Sequence, residues 1–130
     1  MAFKLKNKLG VWGERVAEAQ YLKKGYVLVA RNVCNGKGKR LGEIDLVVRS
    51  ETHLVFVEVK VRRSNRFGSA VESVTRAKQR KLVRVVQWFS RAYPRYQNLQ
   101  PRIDVCAIAS NLDKSSVNVI IIPSAVTLDY

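Results

Sequence analysis

The chain has 130 residues, the size of one compact domain, and 47% of them are hydrophobic. It carries 24 Lys and Arg against 10 Asp and Glu, a formal net charge of +14. This composition excludes a disordered basic tail, and no stretch approaches the ~20 apolar residues of a membrane span or the apolar run of a secretory signal.

Residues 7 to 23 read as a helix, with Leu9, Trp12, Val16 and Ala19 at steps of three and four. Gly25 is a helix stop, and Tyr26 to Val33 reads as a strand. Asn35 to Gly42, NGKGKRLG, is a glycine-rich turn carrying Lys37, Lys39 and Arg40. Glu43 to Arg49 and His53 to Val61 read as two strands joined by Ser50, Glu51 and Thr52, which predicts a hairpin. The second of them, LVFVEVKV, suits a central strand covered on both faces. Arg62 to Gly68 is a basic loop. Residues 69 to 92 read as the long helix, with Val71, Val74, Leu82, Val85, Phe89 and Ala92 as its apolar stripe and Pro94 beyond its end. Arg102 to Ala109 and Val117 to Ile122 read as two further strands. The order α-β-β-β-α-β-β predicts a single α/β domain over 1–130 with a mixed sheet flanked by helices.

Cys34 and Cys106 belong to no metal-binding or redox motif, so reduced thiols and a cytoplasmic protein are expected. The surplus of positive charge points to a polyanionic partner, nucleic acid above all, and away from a membrane-inserted protein. Chemistry is expected where the hairpin carries acids. Glu43 and Asp45 lie two apart and share a face, with Ile44, Leu46 and Val48 on the other. Glu58 and Lys60 are likewise two apart, on the face of Leu54 and Phe56. In register, Asp45, Glu58 and Lys60 converge. Acids and a lysine inside an apolar strand must be paired, shifted in pKa, or bound to metal. Two carboxylates there offer hard oxygen ligands for Mg²⁺ or Mn²⁺, and a lysine beside them can orient water or neutralise developing charge. The plain alternative is an ion pair that fixes strand register.

Five segments in this order resemble the bacterial YraN family: GVWGE (10–14), GEIDLV (42–47), FVEVKVR (56–62), FGSAVESV (67–74) and RIDVCAI (102–108). That family looks like a branch of the PD-(D/E)xK nuclease superfamily, close to Holliday junction resolvases. The resemblance implies a restriction-endonuclease-like core and a Mg²⁺- or Mn²⁺-dependent endonuclease acting on DNA, with branched DNA a candidate substrate. Asp45, Glu58 and Lys60 match the D, E and K of the motif, while Ile44 stands where its proline would be. Glu14 matches a helix-one glutamate placed near the metal, and Glu43 is a further metal-side candidate. Lys78 matches a family lysine; on the helix stripe it either snorkels at the helix edge or reaches the acids or a phosphate. Arg62, Arg63, Arg66, Lys39 and Arg40 are phosphate-contact candidates at strand ends. Arg76, Arg80, Lys81 and Arg84 lie along the polar side of the long helix. Asp104 is explained by a salt bridge to Arg102 or another arginine. His53 has no assigned role, and Phe67 and Trp88 are packing residues. The alternatives kept open are a non-catalytic module binding DNA or structured RNA, and a ribosome- or RNA-associated basic protein. A homodimer through the IIIPSAV segment is a candidate assembly.

Overall fold

The structure, a computed structural model, describes residues 8–35, 42–62, 74–111 and 115–128. The elements run α1 (Lys8–Lys23), β1 (Val27–Cys34), β2 (Glu43–Arg49), β3 (His53–Arg62), α2 (Arg76–Ala92), a short 3₁₀ turn (Pro94–Tyr96), β4 (Gln100–Ser110) and β5 (Val117–Val126). This is the expected order. The five strands form one mixed sheet in the order β1-β2-β3-β4-β5. Only β3 and β4 pair in parallel; the other neighbours are antiparallel. β3 is therefore the central strand, as its apolar run predicts, and α2 is the crossover that a parallel β3–β4 pair requires. The β2–β3 hairpin closes through Ser50 N–H donating to His53 O at 3.0 Å.

The sheet separates two apolar layers. Ile44, Val47, Leu54, Phe56, Ile103 and Val105 pack beneath Leu82, Val85, Val86 and Phe89 of α2. On the other face, Leu46, Val48, Val55, Val57, Cys106 and Ile108 pack beneath Ala17 and Tyr21 of α1. The division corrects one expectation for β2. Ile44 lies in the α2 layer, whereas Leu46 and Val48 lie in the α1 layer. Strand alternation breaks at Asp45, where the β2–β3 register stops at Leu46↔Val57.

Both helices differ from their sequence reading. α1 buries Gly13, Ala17 and Tyr21, while Trp12 and Val16 only flank that face and Ala19 is exposed. Small residues win because the helix lies close to the sheet: a Cβ added to Gly13 would overlap Val61 Cγ2. Gly25 ends the segment with φ +92°, a left-handed conformation that favours glycine. α2 begins at Arg76, with Val74 and Thr75 outside it, and residues 69–73 of the expected helix lie outside the described residues. Thr75 is its N-cap, and its hydroxyl accepts from Lys78 N–H at 3.2 Å. Val74 is buried but precedes the helix, Ala92 is exposed, and Val71 lies outside the described residues.

β4 carries a fully buried acid, Asp104. Its carboxylate accepts from Arg102 Nε at 2.8 Å, Arg102 Nη2 at 2.9 Å, Tyr21 Oη–H at 2.8 Å and Ser124 N–H at 3.1 Å. Arg102 Nη2 also donates to Tyr26 Oη at 3.1 Å. The expected Arg102–Asp104 salt bridge is therefore present, and it is the centre of a larger network tying α1 and β5 to β4. Ser124 reaches in from a left-handed conformation, φ 51°, beside an irregularity in the β4–β5 ladder. β5 thus runs past Pro123 to Val126, longer than expected. Of the IIIPSAV run, Ile120 is exposed, Ile121 and Ile122 pack partly against the core, and Val126 is buried.

Candidate functional site

The ladder break at Asp45 has a visible cause. Asp45 Oδ2 accepts from Val59 N–H at 2.8 Å, so a side chain replaces a strand carbonyl at the edge of the hairpin pairing. This contact sets Asp45 against the C-terminal half of β3, next to Glu58. The period-two alternation of β3 puts Glu58 and Lys60 on the α2 face. There the first turn of α2 brings in Lys78.

Glu58 is buried and lies between two ammonium groups: Lys78 Nζ is 3.1 Å and Lys60 Nζ 3.7 Å from its Oε1. Burial pushes the Glu58 carboxyl above the usual carboxylate range, and the neighbouring Asp45 charge adds to the effect against the pull of the lysines. Lys60 is held below the ordinary lysine value, first by burial and then by its contact with Lys78. Burial also opposes charge on Lys78. Glu58, the contact with Lys60, and Asp45 outweigh it, and the Lys78 pKa is raised. Of the two lysines, Lys78 keeps its proton more firmly.

The arrangement suits a divalent cation. Mg²⁺ binds hard oxygens through one or two carboxylates and keeps several waters, and Asp45 and Glu58 supply two carboxylates of that kind. Among the described residues no group of three or more His, Cys, Asp or Glu forms a site from protein ligands alone.

Glu43 stands at the start of β2, and the Cys34 thiol of β1 donates to its Oε2 at 3.7 Å. Glu14, half-buried on α1, follows Gly13, whose backbone abuts Val61. It therefore lies toward the same end of β3 as Lys60. Arg62 ends β3 and donates to Val61 O at 3.2 Å. Lys37, Lys39, Arg40, Arg63, Arg66 and Phe67 lie outside the described residues. Trp88 packs edge-on against Tyr93, as a packing residue should. His53 Nδ1 sits 2.8 Å from Thr52 Oγ1, a local turn contact. The feature that sequence reasoning missed is the backbone anchor of Asp45. Its only trace in the sequence is an acid placed where the hairpin should still be pairing.

Among the described residues, a mixed five-stranded sheet carries a helix on each face and a carboxylate–lysine cluster on its β2–β3 hairpin, a mixed α/β architecture. No helix among the described residues is long and apolar enough to cross a membrane. The chain belongs to the uncharacterised protein family UPF0102, whose sequence pattern matches residues 13–108. A UPF0102 protein of Syntrophomonas wolfei is 43% identical over 120 residues, covering 90% of this chain and 97% of that protein. One from Saccharophagus degradans is 43% identical over 105 residues, 80% of this chain and 85% of its own length. A third, from Syntrophotalea carbinolica, is 39% identical over 109 residues, 84% and 85% respectively.

Proposed function

We propose that this protein is a metal-dependent nuclease of the PD-(D/E)xK type, hydrolysing phosphodiester bonds in DNA. The observation that carries the reading is the meeting of Asp45, Glu58 and Lys60 where β2 and β3 part. Asp45 and Glu58 would hold Mg²⁺ or Mn²⁺. When bound, such an ion supplies positive charge against a phosphate and makes nearby water more acidic.

The chain's own residues do the rest. Lys60 donates from its Nζ ammonium to the attacking water and orients it, while the water's proton passes to solvent. The water oxygen bonds to phosphorus and one ester bond breaks, leaving a phosphate monoester and a free hydroxyl. Lys78 contributes positive charge beside the developing negative charge. Arg62, at the end of the same strand, contacts a neighbouring phosphate, and the +14 surplus draws the polyanion in. Glu14 and Glu43 are assigned supporting places at the edge of the cluster.

The test is cleavage of labelled duplex, single-stranded, flap and four-way-junction DNA, and of RNA, in Mg²⁺ or Mn²⁺. EDTA and Lys60→Ala serve as controls. Metal-dependent cutting that disappears in Lys60→Ala is the expected result. Equal cutting by the variant, or cutting that survives EDTA, would contradict it.

One observation favours a second reading. Glu58 already has two ammonium partners, so its charge is balanced within the protein itself. That suits a binding module which holds nucleic acid on this fold without cutting it. In that case Asp45→Asn leaves DNA affinity unchanged or raises it, because a repulsive charge is lost.

A further inference from the structure

The two lysines around Glu58 are not equivalent. Lys60 is on the same strand as Glu58, and its side chain is 17% exposed. Lys78 comes from the first turn of α2, makes the closer contact, and is 39% exposed. Glu58 itself is 8% exposed. The nearest cation to the buried carboxylate is thus also the one with a route to solvent. Its helix is anchored independently of the contact, through the Thr75 cap and the burial of Leu82, Val85 and Phe89. Swinging the Lys78 side chain away would leave the backbone in place.

We infer that Lys78 is an internal counter-cation that occupies Glu58 in the metal-free protein and is displaced by the divalent ion. This rests on the metal-site reading above. The Lys78 ammonium, 3.1 Å from Glu58 Oε1, and the ion would share one carboxylate, and a dication held by that carboxylate would repel the ammonium. Lys60, the less exposed of the two, stays. The displaced Lys78 remains tethered beside the site and carries its charge to the solvent side, where a phosphate would lie. Metal binding and phosphate capture are thereby linked through one side chain. The resting protein also avoids leaving a buried carboxylate uncompensated.

The experiment is Mn²⁺ binding by calorimetry on wild type, Lys78→Met, Lys78→Arg and Lys81→Met, without nucleic acid. Competition from a half-exposed ion pair is worth roughly three- to tenfold in affinity, so Lys78→Met should bind Mn²⁺ more tightly by that factor. Lys78→Arg keeps the competing cation and should match wild type. Lys81→Met removes an exposed charge from the same helix and should also match wild type. Thermal unfolding provides a second readout: Lys78→Met should be the less stable protein without metal and gain the larger rise in Tm with Mn²⁺. Equal affinity in wild type and Lys78→Met, or an equal gain in Lys81→Met, overturns displacement while leaving the metal site standing. No Mn²⁺ binding by any of the folded proteins removes both the metal site and this inference.

Discussion

Tyr21→Phe tests the buried network that fixes α1 to the sheet. The change keeps the ring and its edge-on packing against Tyr26, whose centroid is 5.3 Å away, and removes only the hydroxyl. That hydroxyl donates at 2.8 Å to the fully buried carboxylate of Asp104. A hydrogen bond to a charged group contributes about 1.5–3 kcal/mol. Three donors to Asp104 remain, two from Arg102 and one from Ser124 N–H, so the lower part of that range applies, about 1.5–2 kcal/mol. With an unfolding entropy of ~2.1 cal/mol/K per residue over 130 residues, this corresponds to a fall in Tm of about 6–7 °C. The pH dependence adds a second constraint. Burial, and then the Asp104 charge, push the Tyr21 hydroxyl well above its ordinary value. The folded protein therefore keeps a proton that the unfolded chain loses above about pH 10, and wild-type stability falls as pH rises beyond that point. Phe has no such proton, so the gap between the two proteins narrows above pH 10. Urea denaturation at pH 7 and at pH 10.5 measures both effects. A loss below about 0.5 kcal/mol at pH 7, or a gap that widens with alkali, would refute the hydrogen bond as a stabilising contact.

Two other perturbations address the approach of α1 and the basic surface. Gly13→Ala improves intrinsic helix propensity but drives a methyl group into Val61, so a net loss of about 1 kcal/mol is expected in a urea titration; a more stable variant would mean that the helix has room to move. Arg62→Ala should weaken duplex binding evenly across sequences and lower the slope of log affinity against log salt by about one, read by fluorescence anisotropy from 50 to 200 mM salt; an unchanged slope would remove Arg62 from the phosphate contacts.

The parts of this fold legible in the sequence are those written in strong apolar patterns. LVFVEVKV specifies a strand covered on both faces, and β3 is indeed central. The three residues between Arg49 and His53 specify the hairpin, which in turn brings Asp45 to Glu58. Lys78 stands out because a lysine on an apolar stripe needs a reason, and Glu58 is that reason. The docking face of α1 was harder to read. Gly13 and Ala17 contribute almost nothing to a hydrophobic pattern, although they allow the closest approach, and Tyr21 is buried for its hydroxyl as much as for its ring. The start of α2 was missed for a related reason: Val74 fits the helical spacing and is buried, but Thr75 caps the helix after it. The face of Ile44 could not be read from period two at all. A side chain accepting a backbone N–H breaks the ladder, and nothing in residue spacing shows that.

The two buried acids of the central strands illustrate opposite solutions to one physical problem. An isolated carboxylate taken out of water costs several kcal/mol, so each must be compensated. Asp104 receives four donors from groups that are themselves part of the framework: an arginine on its own strand, a tyrosine on α1 and a backbone N–H on β5. None of these can leave without unpacking the sheet, and the result is rigidity. Glu58 instead receives two ammonium groups on flexible four-carbon chains, one of them more than a third exposed. Lysine contacts are point-charge contacts, exchangeable for another cation of suitable size, where the forked arginine contacts of Asp104 are not. The same cost of burial is thus met by a permanent network on the α1 face and by a replaceable one on the α2 face. The exchangeable contacts lie beside Asp45, where the hairpin opens, and that is the physical ground for the proposal that chemistry takes place at Glu58 while Asp104 holds the fold.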